Sequence, residues 1–306
     1  MSVDYEQPRM GFFTDTSICI GCKACEVACK EWNRIPDDGF VFSGESYDNT
    51  NHLGASTWRH VAFVEQRVPL GVNAGAPDDL VQEASRQHLV EEGLDPHDGG
   101  DGLRWLMASD VCKHCTHAAC LDVCPTGSLF RTEFGTVVVQ EDICNGCGYC
   151  VPACPFGVLD QREEPTASYE VANGGVARSG GDGRVWKCTL CYDRLKGGHE
   201  PACAKACPTD SIQFGEIEAL RERADERLRK LQEEGWNGAQ LYLADPEDGI
   251  GGAGAFFLLL DDPEVYGLPP DPVVTTRDLP GTWASAAVAM GALAGAVVAS
   301  FLGGRN

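Results

Sequence analysis

The sequence predicts an α+β fold, with two intertwined cysteine-built modules, loop insertions and a C-terminal transmembrane helix. Three observations predict it. Cysteine quartets recur four times, short β-branched or aromatic runs alternate with brief helical stretches around them, and a long uncharged run closes the chain.

The clearest quartet is Cys144-Asn-Gly-Cys147-Gly-Tyr-Cys150-Val-Pro-Ala-Cys154-Pro155. Thiolates at i, i+3 and i+6 let one loop hold three corners of an iron–sulfur cube. The fourth, at i+10, falls on the helical turn that follows, and in a two-cluster ferredoxin it ligates the neighbouring cube. Pro155 then turns the chain away, and Gly146 and Gly148 let backbone N–H groups approach the sulfurs. Structural zinc is the alternative, but it wants four ligands around one tetrahedron, usually as two separated C-x2-C pairs. Cys19, Cys22, Cys25 and Cys29 repeat the spacing, with Lys30 where proline would stand. Cys112, Cys115, Cys120 and Cys124-Pro125 stretch the middle gap by two residues; Cys188, Cys191, Cys203 and Cys207-Pro208 have eleven residues there. All 16 cysteines are used, which leaves none for a disulfide framework or a free nucleophile. The repeat predicts four 4Fe–4S clusters in two ferredoxin-like 2×(4Fe–4S) modules.

Only residues 125–143 separate the second motif from the third, a hairpin-sized connection. These two should exchange their last ligands, so that Cys112, Cys115 and Cys120 take Cys154 while Cys144, Cys147 and Cys150 take Cys124. The first and fourth motifs are left to pair across the inserted module. Cys19, Cys22 and Cys25 then take Cys207, and Cys188, Cys191 and Cys203 take Cys29. The other arrangement pairs the first motif with the second and leaves the third to meet the fourth across 161–183.

In chain order, residues 1–10 read as a polar tail and Gly11 to Thr14 as a strand entering the first cysteine loop. Ala24 to Glu31 is the helix after it. Asn33 to Ser56 is loop, rich in Gly, Asp, Asn and Ser, and Trp58 to Val68 is a strand. Residues 74–102 are an acidic, solvated excursion with one helix around 79–92. Within 103–160, Leu129–Arg131 and Thr136–Val139 pair as a hairpin across Gly135. Residues 161–183 are polar and glycine-rich. Glu216 to Glu234 is a charged helix stopped by Gly235, and Gln240–Leu243 and Ala255–Leu260 are strands. The modules are therefore 11–35 with 183–216, and 103–160. Residues 36–102 form an insertion, and 217–282 an extension with a charged helix and strands. The last element, 283–302, has no charge over twenty residues and spans about 30 Å as a helix, enough for a bilayer core. Trp283 stands where an interfacial anchor belongs, and Gly291 and Gly295 make a G-x-x-x-G contact face. A buried soluble helix is the other reading of this run.

A formal net charge of −22 argues against nucleic acid or an anionic membrane surface as partner. Six of the seven lysines (Lys23, Lys30, Lys113, Lys187, Lys196, Lys205) lie in or beside the motifs. Positive charge there would favour the reduced state of a cluster, unless these are ordinary surface lysines. His114 and His117 lie inside the second motif, but its four cysteines already complete a quartet, so they are read as neighbours of the ligands. No Ser-His-Asp set, phosphate loop or dinucleotide fingerprint is evident, and catalytic residues are expected to be none.

The motifs in this order, with Cys-Pro closing three of them, resemble the electron-transfer beta subunits of membrane-bound molybdopterin oxidoreductases. The stretches GFFTDTSICIGCKACEVACKEWN (11–33), CNGCGYCVPACPFGV (144–158), KCTLCYDR with EPACAKACPTDSIQFG (187–215) and LADPEDGIGGAGAFFLLLDDPEVYGLP (243–269) most resemble the formate dehydrogenase iron–sulfur subunit. A C-terminal membrane helix fits that family better than the dimethyl-sulfoxide or polysulfide reductase subunits. In nitrate reductase subunits, one position that is cysteine here is tryptophan. The resemblance implies a non-catalytic subunit that carries electrons from a molybdenum- or tungsten-pterin catalytic subunit to a membrane cytochrome b or quinone-reactive subunit. A sister oxidoreductase subunit or a free polyferredoxin is the alternative. The N-terminus has no basic and apolar leader of its own. With Arg305 beyond the final helix, a single-pass protein is expected, its clusters on the outer face of the cell membrane by co-export; the cytoplasmic face is the alternative.

Overall fold

The computed structural model describes residues 8–37, 47–67 except 49 and 51, 103–162, 183–274, 276 and 279–303. The polar tail over 1–7, the excursion and helix predicted within 74–102, and most of 161–183 lie outside the described residues.

Strand β1 (Met10–Asp15) organises the fold. Its period of two sends successive phenylalanines to opposite sides. Phe12 faces a core that contains cysteines of all four motifs, and Phe13 a second core with Cys115 alone of the cysteines packed against it. On one edge β1 pairs antiparallel with β8 (Ile212–Glu216), directly after the fourth motif. On the other it pairs parallel with β10 (Ala255–Leu259), which pairs antiparallel with β9 (Gln240–Tyr242). The sheet order is therefore β8-β1-β10-β9. All five residues of β10, AFFLL, are buried, as a central strand covered on both faces requires. The 217–282 stretch thus contributes two strands to the sheet that carries the first cysteine loop.

Helix α6 (Ile217–Glu233) closes the structural core. Ile217, Leu220, Ala224 and Leu231 recur at helical spacing and are all buried, while the charged residues between them face outwards. Behind them Phe13 and Phe256 stack at 5.4 Å. Arg227 of α6 reaches back to β1, with its Nε 3.0 Å from Asp15 Oδ2 and its Nη2 donating to Ser17 Oγ. Asp15 also accepts from the Ser17 backbone and hydroxyl, capping the short 3₁₀ turn Thr16–Ile18 that delivers Cys19.

The predicted strand at Trp58 is β2 (Arg59–Arg67), paired antiparallel with β3 (Leu103–Val111). The predicted hairpin is β4 (Leu129–Arg131) with β5 (Val137–Val139), turning through Gly135 at φ +75°. A two-residue pair, β6 (Asp160–Gln161) with β7 (Val185–Trp186), leads into the fourth motif. Short helices follow or fill each motif: α1 (Ala24–Asn33), α2 (Ala119–Asp122), α3 (Cys150–Ala153), α4 (Tyr192–Lys196) and α5 (Ala202–Lys205).

The last helix, α7 (Leu279–Gly303), is longer than the predicted 283–302. Among the described residues it is the one helix long and apolar enough to cross a membrane. Its large side chains, including Trp283, Val288, Leu293 and Phe301, are exposed. It is not the buried core helix that the same composition could have made.

Gly11 and Gly215 are partners across β1 and β8, yet their surroundings differ. A Cβ on Gly11 would lie 2.2 Å from the Gly254 carbonyl oxygen and the Ile217 side chain, whereas one on Gly215 meets nothing closer than 3.7 Å. Gly11→Ala is expected to cost about 1–3 kcal/mol through overpacking. Thermal bleaching of the holoprotein should occur several degrees lower, with Gly215→Ala close to wild type.

Candidate iron–sulfur sites

The four cysteine loops share a backbone device. The residue before the second cysteine of every motif has a left-handed conformation: Gly21 at φ +63°, His114 at +45°, Gly146 at +73° and Leu190 at +56°. A residue turned this way aims successive N–H groups into one concavity, which suits the negative sulfurs of a cluster. Two of the four positions are glycine, where this is cheap, and two are not, where the surrounding fold must hold the strain.

The helices after the loops differ in a way proline explains. Cys29 lies inside α1, which runs on through Lys30 to Asn33. The other three fourth cysteines stand just past their helices. Cys154 is the cap of α3 with ψ 117°, and Cys124 and Cys207 follow the caps Val123 and Ala206. A residue before proline is pushed out of the helical region, and Pro125, Pro155 and Pro208 do this to all three. The expectation that the fourth cysteine sits on a helical turn therefore holds for Cys29 alone.

Cysteines of different motifs lie within electrostatic range of one another. Cys19 faces Cys25 and Cys207. Cys29 faces Cys188, Cys203 and Cys191, and the Asn33 amide bridges Cys29 Sγ at 3.7 Å and Cys191 Sγ at 3.8 Å. Packing of α1 against α5, and the Trp32 Nε1 bond to Asp193 at 2.8 Å, tie the first motif to the fourth. Cys115 faces Cys112, Cys154 and Cys120, while Cys150 faces Cys124, Cys144 and Cys147. Cys22 is exposed at the tip of the first loop. Cysteines of different sets also influence one another electrostatically: Cys25 feels Cys203, Cys188 feels Cys112, and Cys120 feels Cys150.

Burial, reinforced by neighbouring thiolates, pushes Cys29 and Cys115 well above the ordinary thiol range and Cys120 up to about 12. Cys124 is the exception. Burial acts upwards there too, but N–H groups of Leu129, Thr126 and Ser128 and the Thr126 hydroxyl outweigh it and draw the thiol down to about 7.

Cys124, Cys144, Cys147 and Cys150 line one hollow together with Gly148 and Ser128. Ser128 Oγ is buried without a hydrogen-bond partner, a donor left over for a sulfur. Among the described residues, no three His, Cys, Asp or Glu side chains converge as they would around one metal ion. Four thiols spread around a hollow and facing spare donors fit a cube better than a zinc tetrahedron.

Residues 103–173 and 143–212 match 4Fe-4S dicluster domain families, and 16–32 a 4Fe-4S binding domain. The chain is 39% identical to the formate dehydrogenase iron-sulfur subunit of Haemophilus influenzae, over 94% of this chain and 78% of that protein. It is 37% identical to the nitrate-inducible formate dehydrogenase iron-sulfur subunit of Escherichia coli, over 86% and 73%. The chain belongs to the family of formate dehydrogenase iron–sulfur subunits. Its place in that family is as an electron-transfer subunit, not the catalytic one. Similarity to an anaerobic dimethyl sulfoxide reductase polypeptide of Escherichia coli is weaker, at 29% over 70% of this chain and 77% of that one.

Within this iron–sulfur subunit the lysines beside the motifs divide sharply. Lys113 and Lys187 are buried at 0% and 2% exposure. Lys113 Nζ donates to Asp110 and to the Val111 carbonyl, and lies 4.9 Å from the Phe257 ring centre. Lys187 Nζ bonds the carbonyls of Val137 and Cys188. Lys196 and Lys205 are exposed, and Lys23 pairs with Asp48 at 2.6 Å. Lys113 and Lys187 are thus the two placed in the interior beside the motifs, while Lys196 and Lys205 are surface lysines. His114 is buried, and its Nδ1 accepts the Val137 N–H. Burial first, then the charge of Lys187, holds it well below the usual histidine range, so the ring is neutral and Nδ1 is engaged away from any ligand role. Two residues that motif reading passed over are Arg59 and Ser109, both buried against the cysteines of the first and fourth motifs.

At Gly146 a Cβ would combine a left-handed backbone with an approach of 2.6 Å to the Gly183 carbonyl. Gly146→Ala is expected to lower the bound iron through loss of the site lined by Cys124, Cys144, Cys147 and Cys150. Iron analysis with EPR should show the remaining resonances intact.

Proposed function

We propose that this subunit carries electrons through four 4Fe–4S clusters held by its sixteen cysteines in four exchanged sets. Cys19, Cys22, Cys25 and Cys207 hold the first. Cys29, Cys188, Cys191 and Cys203 hold the second. Cys112, Cys115, Cys120 and Cys154 hold the third, and Cys124, Cys144, Cys147 and Cys150 the fourth. The observation that carries this reading is that the electrostatic neighbours of the cysteines fall across motifs in these combinations. Cys25 also feels Cys203, Cys188 feels Cys112 and Cys120 feels Cys150, which supports an order of the sets from first to fourth in one line. The ends of such a line are where a donor and an acceptor would dock. The modules are then 11–35 with 183–216, and 103–160, with Cys188 of one feeling the charge of Cys112 of the other.

Each bound cube supplies reversible uptake of one electron. The chain's own part is to fix spacing, exclude water and set potentials. Burial of Cys25, Cys29, Cys112, Cys150, Cys188 and Cys203 does the second, and the left-handed turns with the buried cations contribute to the third. The donor is a molybdenum- or tungsten-pterin catalytic subunit that oxidises formate, and the acceptor a membrane cytochrome b or quinone-reactive subunit. Helix α7, exposed and apolar along its length, anchors the chain in the cell membrane beside that acceptor, with the cluster domain on the outer face.

Formate added to the intact membrane complex should bleach the cluster absorbance of this subunit and bring up reduced-cluster EPR signals, while the isolated chain oxidises no formate with a dye acceptor. Clusters indifferent to formate but responsive to dimethyl sulfoxide or polysulfide would move the chain to a sister reductase.

A further inference from the structure

Arg59 opens β2 at 2% exposure, and no carboxylate among the described residues pairs with it. Its Nη1 donates to the Ser109 carbonyl at 3.2 Å and to Ser109 Oγ at 2.9 Å. Ser109, itself 1% exposed, lies 3.2 Å through Oγ from Cys25 Sγ. With that oxygen accepting from Arg59, its hydrogen is free to point at the sulfur. The guanidinium also lies 4.9 Å from the Phe12 ring centre. Its remaining donors, Nε and Nη2, are buried and have no hydrogen-bond partner. A buried cation left without a counter-charge is strongly destabilising, so a fold that keeps one must hold a matching negative group nearby. The groups facing this guanidinium are cysteines of two different sets, which carry negative charge as cluster ligands: Cys25 of the first, and Cys203, Cys188 and Cys29 of the second.

We propose that Arg59 is the shared counter-cation of the first two clusters, donating through Nε and Nη2 to cluster sulfur and through Ser109 to Cys25 Sγ. It thereby favours their reduced states and raises their potentials relative to the same sites without it. The physical reason is charge. Each added electron makes a cube more negative, and a fixed cation in a dry, low-dielectric interior is felt by both neighbours. The position beside both Cys25 and Cys203 makes Arg59 a positioning and tuning residue for the junction between the two sites. The role rests on the exchanged cysteine sets proposed above.

The test is a redox titration of the intact complex followed by EPR, with iron analysis, for wild type, Arg59→Met, Arg59→Lys, Ser109→Ala and Cys29→Ser. Arg59→Met should shift two of the four midpoint potentials downwards. At a fixed potential the reduced-to-oxidised ratio of each should fall at least about tenfold, equivalent to about 59 mV for one electron. Arg59→Lys should recover most of that shift. Ser109→Ala should lower only the resonance of the Cys25 cluster, the one of the pair that Cys29→Ser leaves intact. A full iron complement with four unchanged potentials in Arg59→Met would overturn the proposal, as would a lysine variant displaced as far as the methionine one. If Arg59→Met fails to hold its clusters, unchanged potentials in Ser109→Ala overturn it instead. Should Arg59→Met shift two potentials while Ser109→Ala and Cys29→Ser strike the same resonance, the cysteine sets are wrong and the role of Arg59 stands.

Discussion

Crowding of sulfur charge in a dry interior is the constraint on which the rest of this structure depends. Several of the sixteen thiols sit in one hydrophobic core with Phe12, Val111 and Leu190, and burial with mutual repulsion pushes Cys29, Cys115 and Cys188 above the ordinary thiol range. Ligation to iron needs the thiolate, so filling the sites and completing this core are one process. The fold meets the resulting negative charge with partial charges, in left-handed N–H turns before each second cysteine, and with full charges on Arg59, Lys113 and Lys187. The second, cysteine-poor core around Phe256, Leu220 and Tyr242 lends rigidity from behind, through strands such as β1, β3 and β10 that belong to both.

The division of labour along β1 explains why a stretch far from the motifs is part of the site. β10 and α6 touch few cysteines, yet they fix the strand from which the first loop departs. Asp15 is the hinge of that arrangement, capping the turn before Cys19 while it is held by Arg227. An electron carrier gains from such support, since small displacements between sites alter transfer, and two cores astride one strand leave it little freedom to move.

Much of this was legible in the residues. The cysteine spacing identifies the loops because thiolate geometry around a cube leaves few alternatives. The extents of β1, β10, α6 and the 129–139 hairpin follow from hydrophobic pattern and glycine position, since each is short-range information. The parallel pairing of β1 with β10 was not legible, because it joins residues about 240 apart and strand pattern does not name a partner. Nor was the left-handed backbone at His114 and Leu190, where neither residue type advertises it. Arg59 did leave a trace: in WRHVAFV, alternation puts it on the same face as Val61, which is 1% exposed. An arginine on the buried face of a strand marks an interior cation, but only the fold shows which charges it faces.

The central claim is that the first and fourth motifs exchange their last ligands while the second and third do the same, giving one line of four sites. An experimental density map of the native complex, with anomalous scattering at the iron edge, tests it most directly. The account predicts four cubes in an unbranched row, with Cys29 on the cube held by Cys188, Cys191 and Cys203. A map that puts Cys29 on a cube with Cys112 and Cys115 would contradict it.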